Sequence, residues 1–187
     1  EKLTIRRIQS EDAINIINGT FNLTEVVIED VSSDAIDIDF SSGKIKGLVV
    51  NNSSGDGLDI SKTTLEGESL YFSGIKDKAI SVGEQSRANL KQIYISDTGT
   101  GIASKDLSVT YAREITLSGI QRAPFMAYNK KSEYGPAKLV VKQFKYNGPR
   151  KVGVAQSGST LMIDDKIIAT TSIDIDALYK SDDMQKN

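Results

Sequence analysis

The hydrophobic positions of this chain fall into short phrases that return at a fixed step. Ala13-Ile14-Asn15-Ile16, Ala35-Ile36-Asp37-Ile38, Gly57-Leu58-Asp59-Ile60, Ala79-Ile80-Ser81-Val82 and Gly101-Ile102-Ala103-Ser104 begin 22 residues apart. A second set, Val26-Val27-Ile28, Leu48-Val49-Val50 and Leu70-Tyr71-Phe72, keeps the same step. Its continuation, Ile93-Tyr94-Ile95 and Ile115-Thr116-Leu117, arrives one residue late, which predicts a small turn insertion in the fourth coil. A third, weaker apolar position reads Val31, Ser53, Ile75, Thr98 and Ile120. Each repeat therefore holds two or three short strands rich in Val and Ile and bounded by Gly, Asn, Asp and Ser. No segment carries a sustained helical period.

A repeat of this length with several strands is a solenoid signature, because one coil cannot bury its own apolar face and stacked coils can. It is too short for a propeller blade or a helix pair, and the hexapeptide rhythm of a left-handed β-helix is absent. The expected fold is all-β: a right-handed parallel β-helix of roughly 6–7 coils with a C-terminal cap. Coils about 4.8 Å apart would rise roughly 30–35 Å.

Alternation assigns the faces of the first strand. Ile14, Ile36, Leu58, Ile80 and Ile102 stack inward, as do Ile16, Ile38, Ile60, Val82 and Ser104. One outward column runs Asn15, Asp37, Asp59, Ser81, Ala103, and another runs Asp12, Asp34, Asp56, Lys78, Thr100; Asp39 adds a further carboxylate. Stacked like charges repel unless a cation, a hydrogen-bond donor or Lys78 offsets them. Asp34, Asp37, Asp39, Asp56 and Asp59 are thus candidate ligands for Ca²⁺, a hard cation that prefers several oxygens. The plainer alternative is a solvated acidic face in which Asp34 and Asp56 cap turns. No loop has EF-hand spacing, and no cofactor is required by the sequence.

The same edge changes character towards the C-terminus. Glu84, Lys105, Asp106, Lys130, Lys131 and Glu133 follow the first strand of successive coils. With Asp37, Asp39 and Asp59 they can flank one groove along the axis, or form a ladder of exposed salt bridges of little value. Tyr71 and Tyr94 lie in an outward column, Val27, Val49, Tyr71, Tyr94, Thr116, that can stack on sugar rings. An apolar outer strip equally suits docking of a neighbouring domain, which the sequence favours slightly. Asp30, Asn51 and Asn52 read as turn residues.

Composition narrows the chemistry. The 187 residues suit one domain, and a net charge of −2 does not suggest a nucleic-acid partner. The absence of Cys and His removes disulfides, thiolate sites, imidazole bases and Ser-His-Asp triads. No apolar run approaches a membrane span. The chain opens inside a coil at Leu3-Thr4-Ile5, which reads as part of a longer protein whose earlier coils or domain cover that end. Coils are expected over 1–157. A sixth begins at Ala123, and the next Gly-Val phrase, Gly153-Val154, comes 30 residues later, so eight extra residues are expected as a loop within about 129–150. Residues 158–187 read as a hairpin-like cap followed by a polar tail.

The stretches 74–84, 101–108 and 130–136 (GIKDKAISVGE, GIASKDLS and KKSEYGP) resemble the right-handed parallel β-helix, or pectate-lyase-like, superfamily. They are most similar to C-terminal β-helix modules of bacterial envelope and exopolysaccharide-associated proteins. That resemblance implies a bacterial cell-envelope or extracellular location and a polysaccharide or a preceding domain as partner. Its members include lyases, hydrolases, epimerases and non-catalytic adhesins, so the fold alone does not choose among them.

The first functional expectation is a non-catalytic structural or glycan-binding module. The alternative is a polysaccharide-active enzyme with Asp37, Asp59, Lys105 and Tyr128 as candidate catalytic groups. A lyase or epimerase needs a cation or Arg/Lys against the uronate and a base, which Lys105 or Tyr128 can supply. A hydrolase needs paired carboxylates, and Asp37 and Asp59 stand one coil apart. Polygalacturonase-type motifs, which include a histidine, are absent.

Overall fold

The computed structural model describes residues 2–149, 151–174 and 177. The chain is a parallel β-solenoid of about seven turns, each of roughly 22 residues. Among the described residues there are fifteen strands, β1 (Leu3–Ile8) to β15 (Thr170–Thr171), and no helix long and apolar enough to cross a membrane.

Each coil has three faces. The first is formed by β2 (Asp12–Ile17), β4 (Asp34–Asp39), β6 (Leu58–Ser61), β8 (Lys78–Gly83) and the trailing ends of β9 (Arg87–Lys105) and β10 (Val109–Tyr128). The second and third are the two halves of β3 (Thr20–Val31), β5 (Ser42–Ser53) and β7 (Thr64–Ile75), continued by β9, β10 and β11 (Lys138–Asn147). The coil-to-coil ladders are parallel: Asp37 pairs Asp59, Ile38 pairs Ile60, and Val49 pairs Tyr71, which pairs Tyr94; the β9–β10 ladder shifts register once, between Ile120 and Ala123.

The corners explain how a continuous strand turns. The second corner carries Glu25, Gly47, Ser69, Gln92, Glu114 and Gln143, one per coil and all at positive φ. The third carries Arg7, Asp30, Asn52, Gly74, Asp97 and Gly119, also all at positive φ. One left-handed residue per coil bends the strand without consuming a rung. The polar side chains at the third corner bond from coil to coil, as in Asn52 Nδ2 to Asp30 Oδ1 at 2.9 Å, which is the turn role expected of them.

The late arrival of Ile93 has its cause at the first corner. Asn18, Phe40 and Lys62 each turn it with one positive-φ residue, whereas the fourth coil uses two, Glu84 and Gln85. The fifth coil copies this with Asp106 and Leu107, so the shifted spacing persists. The sixth coil is longer again. Tyr128 pairs Lys105 and Lys138 pairs Val109, so this turn takes ten steps where the previous one takes four. The insertion is therefore six residues within 129–137, and Gly153 stands opposite Phe125. The expected eight aligns Gly153 with Ala123 and both with Gly101; the bulge between Ile120 and Ala123 moves that register by one, and Gly153 falls in the column of Ile102, which accounts for the other.

The interior is filled by the expected columns. Ile36, Leu58, Ile80, Ile102 and Phe125 are all completely buried, as are Ile38, Ile60, Val82 and Ala127. Ser104 interrupts the second column and is satisfied inside: it donates to the Lys138 carbonyl at 3.0 Å and receives the Thr110 hydroxyl at 3.0 Å. At the C-terminal end β13 (Thr160–Ile163) adds a last parallel rung to β11, and β14 (Lys166–Ile167) turns back on it antiparallel. The hairpin expected around Asp164-Asp165 is this turn. The polar tail expected from Lys180 lies outside the described residues.

Candidate functional site

The acidic column of the first face divides into two groups. Asp34 and Asp56, expected outward, are both 4% exposed. Asp34 Oδ1 accepts the Asp56 backbone N–H at 2.7 Å, and Asp56 Oδ1 accepts the Lys78 N–H at 2.9 Å. They are turn caps that tie one coil to the next. Gly55 lets the carboxylate in, since a Cβ there would lie 2.0 Å from Asp34 Oδ1. Lys78, 3% exposed, brings its ammonium to 3.1 Å from Asp56 Oδ1 and also pairs with Asp77. Arg122 continues this network, with Nη2 2.7 Å from Asp77 Oδ1. Burial raises the Asp56 carboxyl and the Lys78 charge opposes that rise.

Asp37, Asp39 and Asp59 remain at the surface, half-buried. Asp37 is pushed up to about 7, first by burial and then by Asp39, Asp59, Asp12 and Asp34. Asp39 is raised by burial and by Asp59 and Glu84. Among the described residues no three carboxylates converge as a metal site. The five aspartates proposed for Ca²⁺ are thus split, two of them holding backbone N–H groups.

Lys105 is buried and lies back along its column over Gly83. A Cβ on Gly83 would be 3.3 Å from Lys105 Cε, so the glycine provides the bed for this side chain. The Lys105 ammonium thereby comes to 3.9 Å from Asp59 Oδ1, two coils away. Between them, Ser81 Oγ is buried with no hydrogen-bond partner. Lys130 is held below the ordinary lysine value, chiefly by loss of solvent around its ammonium and then by Lys105 and Lys78.

The other residues expected along this groove differ in exposure. Asp106 is 1% exposed, and its Oδ1 accepts the N–H groups of Lys130 at 2.6 Å and Lys131 at 2.8 Å, so it organises the long sixth turn. Lys131 pairs with Glu84 across the coils, and Glu133 stays exposed on the same turn. Tyr128 is 1% exposed in a second apolar cluster with Ala103, Ala123 and Met126, against which Val154 and Ile173 pack. The tyrosine proposed as a base is therefore almost wholly buried. The outer column that starts with Asp37 and Asp59 ends under the C-terminal segment.

The third face is open. Tyr71 and Tyr94 stack with ring centroids 4.7 Å apart and planes 4° from parallel, and each is nearly half exposed. They form one wall of a trough of about 440 Å³, whose other side is the hydroxyl and amide row Asn51, Ser73, Ser96 and Ser118. Ser96 donates to Ser73 across the coils at 3.0 Å. No charged side chain lines this trough. Because the rings share one face, they offer ligands their edges, hydroxyls and two outer faces, above the shorter Val49 and Thr116.

The second face carries a feature that the sequence reading passed over, a groove of about 590 Å³ between two outward columns of long side chains. Its signal was present in the spacing: Lys46, Glu68, Lys91 and Arg113 recur at the coil step, alternating with buried Ile45, Leu90 and Ala112.

No family model matches the chain, and neither the curated proteins nor the solved structures contain a match. Of the expected resemblance to the pectate-lyase-like superfamily, what is shown is the parallel β-solenoid.

Proposed function

We propose that this chain is a non-catalytic β-solenoid module that binds a neutral glycan segment on its third face. The observation that carries the reading is the uncharged trough in which the Tyr71–Tyr94 stack faces the row Asn51, Ser73, Ser96, Ser118. A pyranose has an apolar C–H face and a rim of hydroxyls. An aromatic wall and a row of hydroxyl and amide groups answer these two surfaces without needing charge. Docking of a neighbouring protein domain suits this face less well. The apolar column is one residue wide, and its neighbour, from Glu29 through Asn51 to Asn147, is polar in every coil. A glycan partner fits a place at the cell envelope or outside the cell.

An enzymatic reading has one observation in its favour. Asp37, pushed up to about 7 by burial and neighbouring carboxylates, stands one rung from Asp59, as a general acid beside a second carboxylate would. Against it, the Lys105 ammonium leans on Asp59 and Tyr128 is enclosed.

The two readings separate on an immobilised array of neutral glycans, followed by analysis of reducing ends. Binding that disappears in Tyr71→Ala/Tyr94→Ala, with the glycan left intact, is the expected result. Cleavage that disappears in Asp37→Asn would replace this reading with the enzymatic one.

A further inference from the structure

The outer surface of the second face is built of two parallel rails. One runs Asn22, Lys44, Glu66, Asn89, Tyr111 and the other Thr24, Lys46, Glu68, Lys91, Arg113, Lys142. Between them run Ile45, Gly67, Leu90 and Ala112; the Ile45, Leu90 and Ala112 side chains turn into the core, so the floor is strand backbone between two polar rails. It follows the solenoid axis across six coils, about 24 Å at the usual strand spacing.

Its charge differs from that of the chain. Five cations line it, Lys44, Lys46, Lys91, Arg113 and Lys142, against two anions, Glu66 and Glu68, while the whole chain carries −2. Both glutamates are already paired, Glu66 with Lys44 at 2.6 Å and Glu68 with Lys91 at 2.9 Å. Lys46 has no ion pair among the described residues. Arg113 and Lys142 pair outside the groove, with Glu114 and Asp165, in exposed contacts that a stronger anion can displace. Tyr111, nearly half exposed, adds a ring at one end, with the Lys138 ammonium 5.9 Å from its centroid.

We infer that this groove is a second binding site, for an acidic polysaccharide laid along the solenoid axis with its anionic groups on Lys46, Arg113 and Lys142. An acidic peptide is the weaker occupant. The backbone N–H and C=O groups of the strands below are used in the parallel ladders, so a peptide crossing them would find no backbone partners. A glycan carries its charged and hydroxyl groups on the ring edges, where they meet the two rails, and needs no backbone partner from the floor. The site is on a different face from the tyrosine trough and does not depend on it.

The test is titration of the whole chain with hyaluronate, heparin and neutral dextran oligosaccharides and a poly-glutamate peptide. Binding of hyaluronate or heparin is expected, weakening as salt is raised. Lys46→Glu/Arg113→Glu should lower that affinity by at least about tenfold, as reversed charges repel the ligand, while Tyr71→Ala/Tyr94→Ala leaves it unchanged. Should the charge-reversed protein fail to give a wild-type circular dichroism spectrum, Lys46→Gln/Arg113→Gln takes its place, with a smaller loss expected. No binding of either acidic glycan, affinity indifferent to the charge change, or tighter binding of poly-glutamate would each overturn the inference. Loss of neutral-glycan binding alone would overturn only the trough.

Discussion

The carboxylate of Asp56 holds Lys78 twice: Oδ1 accepts the Lys78 backbone N–H at 2.9 Å and faces its ammonium at 3.1 Å. Both side chains are nearly closed to solvent, so neither charge has water to fall back on. Removing Asp56 leaves the buried ammonium with Asp77 and takes away the acceptor of the Lys78 N–H, and breaking a buried pair of this kind costs about 3 kcal/mol. Asp56→Ala should therefore destabilise the fold by about 3 kcal/mol in urea unfolding. Asp56→Asn keeps the turn acceptor and should cost less. Equal losses would mean that the turn bond contributes nothing.

The stability of the domain should fall as pH rises through weak acid. Asp37 titrates near 7 in the folded chain against an ordinary value of 3.8, so between those values the folded state holds a proton that the unfolded state has lost. Stability then drops with rising pH across that window and levels off above it. Asp39 and Asp56 are raised in the same direction and add to the slope. Asp37→Asn should flatten the curve and, above neutrality, stabilise by about 1 kcal/mol, a modest figure because the carboxyl is half exposed. Thermal melts over the window decide it; a curve that rises with pH, or one that the substitution leaves unaltered, contradicts the assignment.

Ser81 Oγ is buried without a partner between Asp59 and Ala103 in the outward column. An unsatisfied buried hydroxyl is a liability of about 1 kcal/mol or more, so Ser81→Ala should stabilise the chain or leave it unchanged. A clear loss of melting temperature would show that the hydroxyl is engaged after all.

Ile173 packs on the cluster of Ala103, Met126 and Tyr128 that closes the C-terminal half of the first face. Putting a charge at that contact should lift the segment. With Ile173→Asp, Met126, now 5% exposed, should oxidise several-fold faster in dilute peroxide, as read by mass spectrometry of its peptide. Met162, within β13, serves as the internal control. Unchanged oxidation of Met126 would mean that the cover does not depend on Ile173.

Much of this architecture is written in the sequence, and the exceptions share a cause. The 22-residue recurrence of Ile and Leu fixes the coil, the inward columns and even the inserted residue near Gln85, because those positions answer to packing within one period. That Asp34 and Asp56 cap turns was one of the two readings the sequence offered and is what the structure shows, but the burial of these two and of Asp106 was not legible, since a carboxylate that caps a turn from inside and one that faces water have the same alternation. Tyr128 was misplaced for another reason. Its outward position is covered by a segment more than forty residues later, and no local pattern reports that contact. Of the expected binding residues, Tyr71 and Tyr94 are brought together as stacked neighbours, while Lys105 is laid back over Gly83 towards Asp59.

The most direct test of the central claim is an NMR titration of the chain labelled with ¹³C in its tyrosine rings, using the neutral oligosaccharide that binds best on the array. The account predicts saturable shifts at Tyr71 and Tyr94 with Tyr111 and Tyr128 unmoved, since only the stacked pair lines the uncharged trough. Titration of every neutral oligosaccharide without a shift at these two rings, or saturable shifts at Tyr111 alone, would contradict it.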